Sequence, residues 1–202
     1  MTEHEKCQLG LMYKTDGNDR EKLHLDCADL CWEFNRTKPS DLKRREQLIR
    51  KIFGKAGANI YVEPNIFCGF GFNIVVGDNF FANNNCIFVD PGMIEFGDNV
   101  FVGPSCGFYT AHHPIDKKLR NQLYEYAWPI KVGSDVWFGG HCVILPGVTI
   151  GCDVVIGAGS IVTRDIPDHV VAAGNPCRVL RQITDEDRRI IESPKKTGKS
   201  AE

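Results

Sequence analysis

The chain has 202 residues, 43% of them apolar, and a net charge of −2. That is enough chain to bury one sizeable core, and the near-neutral balance offers no basic field for nucleic acid or anionic lipid. No apolar run approaches the ~20 residues of a membrane span, and the charged start, Met1–Lys6, lacks the apolar stretch of a secretory signal, so a cytoplasmic protein is expected.

Residues 1–58 read as a helical segment. Leu23, Cys27, Leu30, Cys31 and Phe34 form an apolar stripe at helical spacing. Pro39 ends that helix, and Ser40 or Asp41 can cap the next, whose inner face is Leu48, Ile49, Ile52 and Phe53. Nine cysteines are present with no Cys-x-x-Cys. Cys86, Cys106 and Cys142 fall on inward positions of the pattern below, so buried free thiols are expected rather than disulfides or zinc ligands.

From about residue 59 the period changes. Val132, Phe138, Ile144, Ile150, Ile156 and Val162 recur every six residues, and Ile130, Val136, Cys142, Val148, Val154 and Ser160 form a second series two residues upstream. Ile74-Val-Val-Gly-Asp-Asn79 and Ile94-Glu-Phe-Gly-Asp-Asn99 are near copies in the same register. Six is neither the 3.6 of a helix nor plain strand alternation. It describes a short strand and a turn, repeated, and such a unit buries its apolar side chain only when neighbours stack on it. The Gly-Asp-Asn triplets place residues that tolerate positive φ at the corners. A parallel β-helix of hexapeptides follows, over residues 59–183. A sandwich, with turns every 8–12 residues, does not match strict sixes.

The register breaks once, over residues 109–128. A repeat fold carries its insertions as loops on one face, often the binding face. At the base of this insertion stand His112 and His113, the latter before Pro114. An imidazole there could take a proton from a hydroxyl near neutral pH. Arg164, Arg178 and Arg181 cluster after the last coils and suit a phosphate-bearing ligand. Thr184, with Asp187 three residues on, opens a short helix in the terminal segment 184–202, whose polar end, Ser193–Glu202, reads as disordered. No Gly-x-Ser-x-Gly nucleophile occurs, and Gly69-Phe-Gly71 lacks the context of a dinucleotide fingerprint.

The hexapeptides, the His-His-Pro loop, Val136-Trp-Phe-Gly-Gly140, Ile144-Leu-Pro-Gly-Val-Thr-Ile-Gly151, Ile156–Asp165 and Val171–Arg178 together resemble the maltose/galactoside O-acetyltransferase family. Tyr13, Asp16 and Phe34-Asn35-Arg36 look like its N-terminal segment, and the resemblance covers about residues 9–183. It implies a mainly β protein, a left-handed parallel β-helix with an N-terminal helical segment on the acceptor side, assembled as a homotrimer. The activity implied is acetyl transfer from acetyl-CoA to a sugar hydroxyl, with no metal. His113 is then the catalytic histidine, and Asp16 and Asn83 bind the acceptor. Trp137, Gly140, Ala158, Thr163, Arg164, Arg178 and Arg181 line the CoA site. Direct transfer needs an oxyanion donor, for which the backbone N–H of Gly140 is the candidate.

Two departures bear on the acceptor. Galactoside-specific members have a sugar-binding serine where this chain has Gly69, and an acceptor-binding aspartate where it has Pro91, leaving only Asp90. Maltose, glucose or an unidentified acceptor therefore fits better than a galactoside; a xenobiotic or amino-acid acceptor is the alternative within the transferases. A β-helical carbonic anhydrase would need three zinc-ligating histidines, and no second histidine lies within a few residues of His141. A non-catalytic scaffold is disfavoured by the His-Pro loop and the arginines.

Overall fold

The computed structural model describes residues 1–15 and 18–188. Its body is a solenoid of short parallel strands on three faces. One face stacks Lys55–Ala56, Ile74–Val76, Ile94–Phe96, Ile130–Val132 and Thr149–Ile150. A second stacks Tyr61–Val62, Phe81–Ala82, Phe101–Val102, Val136–Phe138, Val154–Ile156 and Val170–Gly174, with Cys177–Gln182 added antiparallel. The third stacks Phe67–Cys68, Ile87–Val89, Gly107–Tyr109, Val143–Ile144 and Ile161–Val162. The first strand lies at Lys55–Ala56, slightly before the expected start at residue 59, because Lys55 and Ala56 already pair with Val75 and Val76.

Every inward member of the two six-residue series is buried, including Ser160. Aromatic rings fill the axis: Phe88 stacks on Phe108 at 5.5 Å, and Phe96 meets Phe108 edge-on at 5.0 Å. Eight cysteines are buried and free, and Cys152 is exposed.

The corner sequence Gly-Asp-Asn divides three tasks. Asn79 and Asn99, and Asn59 of the Gly57-Ala58-Asn59 corner before them, take positive φ (57°, 56° and 53°). Their amides form a ladder, Asn59 Nδ2 to Asn79 Oδ1 at 3.1 Å, Asn79 to Asn99 at 2.8 Å and Asn99 to Asp135 at 2.9 Å. Each Asp accepts an N–H from the preceding coil: Asp78 from Ala58 and Asp98 from Asp78, both at 2.7 Å. The glycine makes room for that carboxylate. A Cβ on Gly77 would lie 2.3 Å from Asp98 Oδ1.

Successive coils are not equal in length. Lys55 aligns with Val75 and Val75 with Glu95, a rise of 20 residues per coil, whereas Lys131 aligns with Thr149, a rise of 18. The excess sits at one corner, after Phe67–Cys68 and after Ile87–Val89, where Gly69–Asn73 and Asp90–Met93 bulge outward. The insertion leaves from the same corner one coil later, after Gly107–Tyr109. It is not an open loop. Ala111–His112 and Tyr124–Ala127 pair antiparallel around a short helix, Lys117–Asn121, and Tyr13–Lys14 adds a third strand. The six-residue pattern cannot show this pairing, because the partner strand comes from the far N-terminus.

The N-terminal segment contains α1 (Glu3–Gln8), α2 (Asn18–Arg36) and α3 (Leu42–Ile52). Asp41 caps α3, accepting the Arg44 N–H at 3.1 Å. Cys27, Cys31 and Phe34 of α2 and Leu48, Ile49 and Ile52 of α3 join the solenoid core. Leu23, expected on the same stripe, is 40% exposed. At that turn the helix faces a hollow, and His24 rather than Leu23 points to the solenoid, bonding Gly69. At the other end, Asp185–Arg188 forms a 3-10 turn with the Thr184 N–H donated to Asp187 at 2.9 Å. The tail Ser193–Glu202 lies outside the described residues.

Candidate active site

The bulged corner, the N-terminal strand and the start of α2 enclose a hollow of about 300 Å³. Thr15, Arg20 and His24 come from the N-terminal segment, Phe67, Gly69, Phe70, Val89 and Pro91 from the two long coils, and Ala111 and Glu125 from the insertion. Both positions where the galactoside pattern is broken, Gly69 and Pro91, line it.

His113 stands beside this hollow. Its Nδ1 is 3.4 Å from the carbonyl oxygen of Tyr124 and its Nε2 is 3.5 Å from Glu125 Oε1. Both partners only accept, so the neutral ring donates to one of them and the imidazolium can donate to both. Glu125 is fixed from behind, since Tyr13 Oη donates to its Oε2 at 2.8 Å. Burial, and then the carboxylate itself, push the Tyr13 phenol well above its ordinary pKa, so it remains a donor. Glu125 and Tyr13 thus form a buttress for His113 that carries negative charge where an imidazolium would form. The ring is half exposed, as a group that meets a substrate must be.

His112 has a different environment. It stacks on Tyr126 at 5.1 Å and meets Trp128 at 4.2 Å between ring centres, and its Nε2 is buried without a partner among the described residues. Burial holds its pKa below the ordinary histidine value.

A second hollow, a groove of about 470 Å³, runs along the corner after the second face. Asn83, Gly103, Pro104, Trp137, Gly139 and Gly140 line it with Phe81 and Phe101. The structure therefore brings Asn83, Trp137 and Gly140 together. Ala158 follows one coil on: the Gly159 N–H donates to Gly140 O at 2.9 Å. The Gly140 N–H has no acceptor among the described residues. Thr163, Arg164 and Arg178 are exposed. Arg181 makes a two-point ion pair with Asp187, both contacts at 2.7 Å, so its guanidinium fork is already filled in the isolated chain. Asp16 lies outside the described residues. Among the described residues no cluster of His, Cys, Asp or Glu could hold a metal ion, and no helix is long and apolar enough to cross a membrane.

The first hollow and the groove share no lining residue, so His113 and Gly140 belong to separate parts of one chain.

The family model for the maltose acetyltransferase hexapeptide capping motif matches residues 6–57, and that for the hexapeptide repeat of succinyl-transferase matches 129–164. The galactoside O-acetyltransferase of Escherichia coli is 48% identical over 184 residues, 91% of each chain. The chain belongs to the maltose/galactoside O-acetyltransferase family. It is an acyltransferase with a left-handed β-helix. Among solved structures, a maltose O-acetyltransferase from Clostridium difficile 630 superposes with a TM-score of 0.90 at 50% identity, covering 92% of this chain and 99% of that one. A galactoside acetyltransferase in complex with coenzyme A superposes with a TM-score of 0.91 at 42% identity, covering 96% of both.

Three site residues escaped the sequence reading. Glu125 was hidden inside a segment read as loop, although Tyr-Glu-Tyr-Ala alternates as a strand does. Arg20 and His24 sit one turn apart on α2, and that spacing was the available signal.

Proposed function

We propose that this acyltransferase moves an acetyl group from acetyl-CoA to a sugar hydroxyl, of the maltose or glucose type rather than a galactoside, with His113 as general base. The carrying observation is the position of His113 beside the hollow, with Nδ1 3.4 Å from the Tyr124 carbonyl oxygen and Nε2 3.5 Å from Glu125 Oε1. Nε2 accepts the hydroxyl proton as that oxygen attacks the thioester carbonyl. Glu125 stabilises the imidazolium that results. The Gly140 N–H, lacking an acceptor of its own among the described residues, holds the developing oxyanion. The imidazolium then returns its proton to the leaving thiolate as the carbon–sulfur bond breaks. No cysteine is required.

The groove suits the pantetheine arm. It is lined by Gly103, Gly139 and Gly140 and by the exposed indole of Trp137. Ala158, Thr163, Arg164, Arg178 and Arg181 would extend the CoA site, with Arg181 exchanging Asp187 for a phosphate. Asp16 and Asn83 would hold the acceptor, with the N-terminal segment on its side of the site.

The separation of His113 from Gly140 within one chain supports a homotrimer with the site shared between subunits. Ile115 at 98% exposure, with Leu123 and Trp128 also exposed on the insertion, supplies apolar surface for such an interface. A monomer in solution with full activity would exclude this assembly.

The test of the chemistry is CoA release with maltose and glucose. His113→Ala lowers turnover by about 10²–10⁴ with the fold intact, and His112→Ala changes it little. Equal activity of the two variants would remove His113 from its role, and absence of CoA release with every acceptor would favour the scaffold reading.

A further inference from the structure

Arg20 is the strongest charge in the acceptor hollow without an assigned task. Its guanidinium lies 4.9 Å from the centre of the Tyr13 ring and 4.7 Å from that of Phe70. Two aromatic contacts hold a cation in place through its faces. They leave its N–H edges unspent, and among the described residues Arg20 forms neither a hydrogen bond nor an ion pair through them. Glu125, the carboxylate among the residues that line the same hollow, is committed to Tyr13 and His113.

His24 flanks the same wall one turn on. Its Nδ1 donates to Gly69 O at 2.8 Å, which fixes the ring between the edges of Phe67 and Phe70 and reserves Nε2. Gly69 itself and Pro91, which line the same hollow, offer no side-chain polar atom. The hollow thus lacks neutral side-chain partners for sugar hydroxyls on that wall and carries a clamped guanidinium in their vicinity. A planar fork of donors of this kind matches a carboxylate or a phosphate in two-point geometry.

We infer that the acceptor carries an anionic group, a carboxylate or a phosphate, which Arg20 binds by its N–H edge with His24 beside it, while the hydroxyl to be acetylated faces His113. The inference rests on the transferase reading of this site. It makes Arg20 a specificity-determining residue rather than a catalytic one.

The experiment compares glucose, glucuronate and glucose 6-phosphate as acceptors at fixed acetyl-CoA, following free thiol, for the wild-type chain and for Arg20→Leu and Arg20→Lys. The wild type is expected to favour at least one charged acceptor over glucose by about 10–100-fold in kcat/KM. Which of the two anions is preferred separates the carboxylate from the phosphate. Arg20→Leu loses that preference through a higher KM for the charged acceptor, by a larger factor than for glucose, and Arg20→Lys recovers part of it. Glucose preferred by the wild type, or a loss in Arg20→Leu that is equal for charged and neutral acceptors, overturns the inference and leaves the transferase reading standing. Failure of all three acceptors, with His113→Ala indistinguishable from wild type, overturns both.

Discussion

Replacing Asp90 by asparagine tests how the wall of the acceptor hollow is held. Asp90 is fully buried. Its Oδ1 accepts the Phe70 N–H at 2.8 Å, and Oδ2 has no partner among the described residues. Burial raises its pKa from 3.8 to about 7, against the pull of the Phe70, Gly71 and Gly69 N–H groups. The unpartnered Oδ2 agrees with a carboxyl that carries its proton there. A folded pKa above the unfolded one means that the folded chain binds this proton more tightly. The side chain's contribution is complete below about pH 4 and is lost as pH rises through 7. At ~1.4 kcal/mol per pH unit, the interval sets roughly 4 kcal/mol as a ceiling on that loss. Asparagine keeps the acceptor for Phe70 and never ionises, at about 1–3 kcal/mol for a buried amide N–H without a partner. Urea unfolding of Asp90→Asn and wild type at pH 4 and pH 8 gives the comparison. The variant is the less stable chain at pH 4, and the difference moves in its favour by roughly 2–4 kcal/mol by pH 8. A difference that is flat across this range would show that Asp90 is not held neutral, and the reasoning from its burial would fail.

Two further substitutions probe the site and the stack. Glu125→Gln removes the charge behind His113 and leaves Tyr13 an acceptor, so kcat falls by roughly 10–150-fold while the KM for acetyl-CoA holds, and Glu125→Asp recovers part of the loss; a kcat within twofold of wild type would dismiss Glu125 as a positioning residue. Gly77→Ala drives a Cβ to 2.3 Å from Asp98 Oδ1 and 2.6 Å from Gly97 O, which costs roughly 2–4 kcal/mol in overpacking and a weakened Asp78–Asp98 bond; an unchanged denaturation midpoint would mean that the coils can part there without strain.

The solenoid was legible because its period is local. Each inward residue, from Ile74 and Val76 to Ser160 and Val162, follows from counting sixes, and each is buried. The inner faces of α2 and α3 follow from helical spacing in the same way, except in the first turn of the α2 stripe, where Leu23 is exposed. The site was readable only where a motif is contiguous, as with His113-Pro114 and Trp137–Gly140. The acceptor hollow draws on four separated segments, and the strand that completes it, Tyr13–Lys14, pairs with residues 124–125 across more than a hundred positions. Nothing periodic marks such a contact. The longer turns at Gly69–Asn73 and Asp90–Met93 were hidden for another reason: two extra residues at a corner do not disturb the inward series on either side.

The antiparallel return of Cys177–Gln182 onto Val170–Gly174 has a consequence for the molecule's length. A stack of parallel coils is in principle an endless template, since each terminal rung offers unpaired backbone groups to any chain of the same pitch. On the second face the last rung is met by a strand running the wrong way, which carries exposed Arg178 and Arg181, and at the other end Leu48, Ile49 and Ile52 of α3 join the solenoid core. Both devices work against growth end to end among the described residues and turn association toward the flanks of the prism.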